Sequence, residues 1–198
     1  LYFVNLKPLF AGQALINALK DMATAGQDVD KILADFDKVF SYRTFGTGEA
    51  REQLSGYASN IASANLPAEV KIKALQKAIT EMEKQVAENP KDARAYLFLS
   101  ALYIKGGRID DALVMLAKAR ELSPEKQQIY FLLADVYITK GDTAKALDIL
   151  KQAYELDTNY TEAVRNLALA AVLNKNESYA EEVLMKRFKN PIKHYSSS

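Results

Sequence analysis

Few side chains in this chain of 198 residues could do chemistry, and their spacing argues against it. His194 is the single imidazole, and cysteine is absent. Structural zinc, iron–sulfur clusters, disulfides and thiol catalysis are therefore excluded. A Ser-His-Asp relay would have to use His194, which stands in the terminal run before Tyr195, Ser196, Ser197 and Ser198. The acidic pairs Asp110/Asp111 and Glu181/Glu182 are adjacent in sequence, at or near helix starts. Carboxylates there favour the helix dipole, whereas acid–base catalysis needs two groups facing each other across a cleft. Asn159-Tyr160-Thr161 and Asn176-Glu177-Ser178 match the glycosylation triplet, a pattern that chance supplies and that has meaning only in a eukaryotic secretory setting. There is no Gly-rich phosphate loop. No catalytic, cofactor-binding or metal-binding residue is expected, and no cofactor.

Composition agrees. Hydrophobic residues make up 49% and charged residues 26%, which is globular and not disordered. The net charge of +1 lacks the basic footprint of a nucleic-acid binder. A cysteine-free chain suits reducing and oxidising compartments alike. The chain begins at Leu1 and not at Met, so a fragment or processed product is expected. Its first stretch, Leu1 to Leu6, is too short to span a bilayer and lacks the basic start of a signal peptide.

What the sequence does carry is a repeat of 34 residues. Tyr96, Tyr130 and Val164 are in register, as are Leu99, Leu133 and Leu167. Ser100, Ala134 and Ala168 follow, then Tyr103, Tyr137 and Ala171, then Gly107, Gly141 and Lys175. Ala112, Ala146 and Ala180 continue the series, with Leu116, Leu150 and Leu184, and with Ala119, Ala153 and Arg187. No insertion or deletion breaks the register. Within each unit, Tyr96, Leu99 and Tyr103 recur at helical spacing, as do Leu113, Leu116 and Ala119. Gly107 and Gly141 stand where a helix must stop and the chain must turn through positive φ. Asp142 or Thr143 can cap the next helix, and Pro124 suits a first turn.

Helical patterns extend upstream. Ala68 to Glu88 reads as a helix, with Pro90, Met82 and Ala78 one period before Pro124, Leu116 and Ala112. Glu49 to Ala64 reads as its partner. Ala11–Ala25 and Val29–Tyr42 read as a further pair separated by Gly26, with stripes Leu15, Leu19, Met22 and Ile32, Phe36, Val39, Phe40. Five helical hairpins are expected, two irregular and three regular. The last has a polar outer helix (Glu181, Glu182, Lys186, Arg187, Lys189), as a terminal repeat requires.

This pattern resembles the tetratricopeptide repeat (TPR) over residues 93–189. The resemblance implies an all-α, TPR-type α-solenoid of helical hairpins with an irregular helical N-terminal part. It also implies a concave groove lined by the first helix of each repeat. Carried over by position, the groove takes Arg94, Leu97, Ala101, Ile104 and Lys105. The second repeat adds Gln128, Phe131, Asp135, Ile138 and Thr139, and the third Glu162, Arg165, Leu169 and Val172. Its apolar midline suits a protein or peptide segment of a partner; alternatively the N-terminal hairpins fold back and fill it. Phe131→Asp or Ile138→Asp is expected to abolish partner binding while sparing helical content. The carboxylate clamp of chaperone-tail binders is not matched, since its positions hold Leu97, Ala101, Leu132, Glu162 and Arg165.

The start of the chain is similar to the region after the last membrane helix of bacterial O-antigen ligase-like proteins that end in TPR repeats. The residues concerned are Asn5-Leu6-Lys7-Pro8, Ala11, Ala14-Leu15-Ile16, Ala18-Leu19, Ser41-Tyr42-Arg43-Thr44-Phe45-Gly46 and Arg51-Glu52-Gln53-Leu54. Tyr2, Phe3 and Lys7 would suit a membrane interface. The organisation implied is a juxtamembrane-like helical part over 1–66, a degenerate repeat helix over 67–92, repeats at 93–126, 127–160 and 161–189, and a loose tail over 190–198. The function implied is a non-catalytic scaffold at a bacterial envelope, attached to a membrane only through a missing N-terminal part. A free-standing, cytoplasmic TPR adaptor or co-chaperone-like protein is the alternative.

Overall fold

The computed structural model describes residues 6–24 and 28–188. His194, the expected tail and Tyr2, Phe3, Asn5 and Gly26 lie outside the described residues. Those described form ten α-helices and no strand: α1 (Lys7–Thr24), α2 (Val29–Ser41), α3 (Thr47–Ser63), α4 (Ala68–Glu88), α5 (Ala93–Lys105), α6 (Ile109–Leu122), α7 (Gln127–Thr139), α8 (Thr143–Leu156), α9 (Thr161–Leu173) and α10 (Glu177–Phe188). The chain divides into two compact units, Leu1–Met115 and Leu116–Ser198, with the division inside α6.

In the first unit, α2 starts on an Asp28 cap, whose carboxylate accepts from the Lys31 amide at 3.0 Å. Its Val29, Ile32, Leu33, Phe36 and Val39 fall on one face and are buried. Val29, Ile32, Leu33 and Phe36 meet Leu54, Ala58 and Ile61 of α3, Ala74, Ala78 and Met82 of α4, and Ala95, Leu99 and Leu102 of α5 in one core. Fully buried alanines at 58, 74 and 78 let the backbones of α3 and α4 approach closely. Each large side chain buried there contributes roughly 1.5–3 kcal/mol, and no single hairpin supplies that burial alone. The N-terminal helix differs from expectation. It starts at Lys7, and its most deeply buried residues are Ala11, Ala14 and Ala18, while Leu15 and Met22 of the expected stripe pack part-buried against the core. Ala14 packs with Val39 of α2 and Ala50 at the start of α3, with Leu15 against the same cluster.

One ion-pair network fastens α3 to α4. Arg51 is almost wholly buried, and so is Glu81. The Arg51 Nε donates to Glu81 Oε2 at 3.4 Å, Nη1 to Gln85 at 2.7 Å and Glu88 at 2.6 Å, and Nη2 to Glu88 at 3.1 Å. Beside α5, the Tyr103 hydroxyl donates to Glu83 at 2.7 Å, and the Arg108 guanidinium lies 4.1 Å above the Tyr103 ring. Burial, with that Glu83 contact, pushes the phenol up to about 12.

In the second unit the same local devices recur. The Tyr130 hydroxyl donates to Pro124 O at 2.7 Å, as that of Tyr96 does to Pro90 O in the first unit at 3.2 Å. Val164 in place of tyrosine removes this tie from the last repeat. Asp142, not Thr143, caps α8 through the Lys145 amide at 3.0 Å. Asn174 Nδ2 donates to Thr143 O and Ala170 O, linking the end of α9 to the start of α8.

Three helix ends share one turn. The amides of Arg108, Asp142 and Asn176 reach back to the carbonyls of Tyr103, Tyr137 and Ala171 at 2.8, 2.9 and 2.9 Å. The residue before each has positive φ: Gly107 at 73°, Gly141 at 80° and Lys175 at 57°. Lysine bears a steric cost there that glycine does not. Lys175→Gly is expected to raise stability by about 1 kcal/mol, seen as a higher urea midpoint with unchanged slope. Gly141→Ala, with nothing within 4 Å of the added Cβ, should lower it by a similar amount through the backbone alone.

Candidate protein-interaction surface

The α9 helix carries an open face. Glu162, Arg165, Leu169 and Val172, spaced by three, four and three residues, are all exposed. Leu169 is 58% exposed, Val172 47% and the adjacent Leu173 45%. Apolar side chains grouped on one helix in this way mark an interaction surface more often than isolated ones do. Across from them on α7, Phe131, Asp135 and Ile138 join Leu150, Asn166, Leu169 and Ala170 around a cavity of about 30 Å³. The fold thus brings Phe131, Asp135, Ile138 and Leu169 together in the second unit. Gln128 is exposed at the start of α7 and does not reach the cavity.

Two of the midline residues require correction. Phe131 is 8% exposed, its ring stacked on Tyr160 with centroids 6.1 Å apart. Leu97 is 6% exposed. Both serve packing and do not stand open to a partner. The α5 residues of the first unit are also committed. Arg94 pairs with Glu52 of α3 at 2.5 Å and lies over the Phe98 ring, and Ile104 packs on the first unit's core. Ala101 is half-buried. Lys105 Nζ donates to the Ser63 hydroxyl at 3.0 Å. Burial raises the Glu52 carboxyl despite its Arg94 partner.

Tyr160 and Leu173 belong to the open face of the second unit and carry no sign of it in the repeat pattern. Tyr160 precedes the helix, and its hydroxyl donates to Glu162 at 2.8 Å. Only an aromatic just ahead of a helix start hinted at it. Glu162 is thereby engaged within the chain.

Asp135 is exposed, yet partial burial among its neighbours alone holds its carboxyl above the usual carboxylate range. Among the described residues nothing donates to that carboxylate.

The remaining candidates are structural. Asp111 is bound to Arg108 Nε at 2.6 Å. Glu181 and Glu182 lie a full turn inside α10, which starts at Glu177. Asn176 caps that helix, accepting from the Tyr179 amide at 3.3 Å. A cavity of about 540 Å³ in the first unit is walled by the Arg51–Glu81–Glu88 network with Arg43, Thr47 and Lys84. Among the described residues no group of His, Cys, Asp and Glu could hold a metal ion, and no helix is long and apolar enough to cross a membrane.

A family model described as the tetratricopeptide repeat protein 21 ARM repeat matches residues 59–180. The chain belongs to this family. As an ARM-repeat chain of the tetratricopeptide type it also resembles solved structures. A crystal structure of MamA is 19% identical with a TM-score of 0.63, over 85% of this chain and 91% of that one. MamA from Desulfovibrio magneticus RS-1 is 17% identical with a TM-score of 0.64, over 89% and 92%. TTC0263, a thermophilic TPR protein of Thermus thermophilus, is 20% identical with a TM-score of 0.58, over 93% of each chain. At these identities the likeness shows the fold, an all-α TPR-type solenoid of helical hairpins. No curated protein sequence matches the chain.

Proposed function

We propose that this ARM-repeat chain is a non-catalytic scaffold that holds a segment of a partner protein against α7 and α9. The observation that carries it is the open row Leu169, Val172 and Leu173 beside the cavity floored by Phe131. A solvated apolar row of this kind is a standing cost that a docked apolar segment removes. Displayed peptides selected on the purified chain provide the test. Leu169→Asp and Val172→Asp should each weaken the selected peptides by roughly thirtyfold, the effect of losing about 2 kcal/mol at an interface centre. Unchanged binding by both variants removes α9 as the docking face.

A second, finer reading makes the chain the soluble part of a bacterial O-antigen ligase-like membrane protein. It rests on the resemblance over residues 1–54. It is favoured by the exposed apolar side chains of the N-terminal helix, Leu9, Phe10 and Ile16, with Phe45 beside that helix and 90% exposed. The gene upstream of Leu1 tests it: a run of membrane helices is expected, their absence rules the reading out, and a start codon close to Leu1 favours the free-standing adaptor.

A further inference from the structure

The partner's chemistry is written in one side chain of the open face. Asp135 projects between Phe131 and Ile138 on its own helix, opposite Leu169, Ala170 and Asn166 of α9. None of these neighbours is a cation. Asn166 is the single polar group among them, and no ion pair or hydrogen bond engages the Asp135 carboxylate among the described residues. The charged groups of α9 on the same side, Glu162 and Arg165, stand one to two turns nearer its N-terminus.

We infer that the segment held by α7 and α9 carries a lysine or arginine flanked by apolar residues, its cation pairing with Asp135 while its apolar side chains cover Leu169 and Val172. The inference rests on the surface proposed above and names what that surface selects. A partly desolvated carboxylate without a partner is electrostatic work left undone. An incoming cation supplies the counter-charge, and the docked segment, by excluding water, strengthens the pair. An acidic segment is excluded by the same charge. A wholly apolar one leaves the carboxylate buried and unpaired, which is the costlier state. The surface therefore discriminates against both, a selection that apolar contact alone does not make. The desolvation that already raises the Asp135 carboxyl in the free chain has the same origin, and a bound cation reverses it.

The experiment is a double-mutant cycle with a peptide selected on the purified chain. Its basic residue is replaced by Gln, and Kd is measured by fluorescence anisotropy on the wild type, on Asp135→Asn and on Leu169→Asp. Asn keeps the shape of Asp, so the chain stays folded. On the wild type the Gln peptide should bind about tenfold more weakly, and added salt should narrow that gap. On Asp135→Asn the two peptides should bind within about twofold of each other. Selected peptides without a basic residue, or an equal loss on wild type and Asp135→Asn, overturn the inference. If Leu169→Asp still weakens those peptides, the docking surface survives that result. If Leu169→Asp has no effect, surface and inference fall together.

Discussion

Arg51→Ala is expected to lower the stability of the chain by about 3 kcal/mol, near the lower end of what breaking a buried ion pair costs. The Arg51 side chain is 5% exposed and that of Glu81 4%. Removing the guanidinium takes away donors to Glu81, Gln85 and Glu88 together. Glu88 can turn to water, because its side chain is 58% exposed. Glu81 cannot. It keeps Lys84, whose Nζ lies 2.6 Å from Oε1, and this remaining cation holds the loss to the low end of the range. Urea unfolding measures the effect. The decisive comparison is Arg51→Met with Glu81→Leu in one chain, which should recover most of the loss, since an apolar pair of similar size leaves no buried charge behind. A single variant as stable as the wild type would show that the network merely decorates the α3–α4 contact.

The network also sets a direction in acid. The Arg51 hydrogen bonds hold the Glu88 carboxyl below the usual carboxylate range. Its folded pKa is thus depressed relative to the unfolded chain, so its contribution is present above the ordinary carboxylate range. That contribution is lost as pH falls through the lowered value. Exposure keeps it small. The stability gap between wild type and Glu88→Gln should close on acidification, and a gap that widens contradicts the assignment.

Phe131→Asp should cost about 4 kcal/mol and broaden or abolish the thermal transition of the second unit, because it removes a buried ring and puts a carboxylate in its place. The repeat pattern alone leads to the opposite expectation, binding lost with the fold intact. The difference lies in Tyr160, whose ring stacks on Phe131 from outside the helical pattern. Leu169→Asp, by contrast, should leave stability within about 0.5 kcal/mol, since Leu169 is already 58% exposed. Circular dichroism melts of the two variants side by side settle the point. Two equally stable variants would mean that Phe131 is as open as Leu169.

Local rules explain which features were legible in the chain itself. The stops at Gly107 and Gly141 are readable because positive φ excludes most side chains, so the residue type reports the backbone. The faces of α2 and α4 are readable because a helix must repeat its apolar residues to bury one side. The stripe Glu162, Arg165, Leu169 and Val172 emerges from the same spacing, and in the structure all four are exposed. Helix periodicity says which residues share a face. It does not say what that face meets, and there the tertiary structure decided. It buried Leu97 and Phe131, tied Arg94 to Glu52, and set Ala11, Ala14 and Ala18 deeper in the core than the leucines of α1. It also drew Arg51, Glu81 and Glu88 together across 37 positions of sequence. These outcomes depend on how closely two helix axes approach and on which distant side chain fills the gap between them. Both are set by contacts between segments, and no spacing within one segment encodes them.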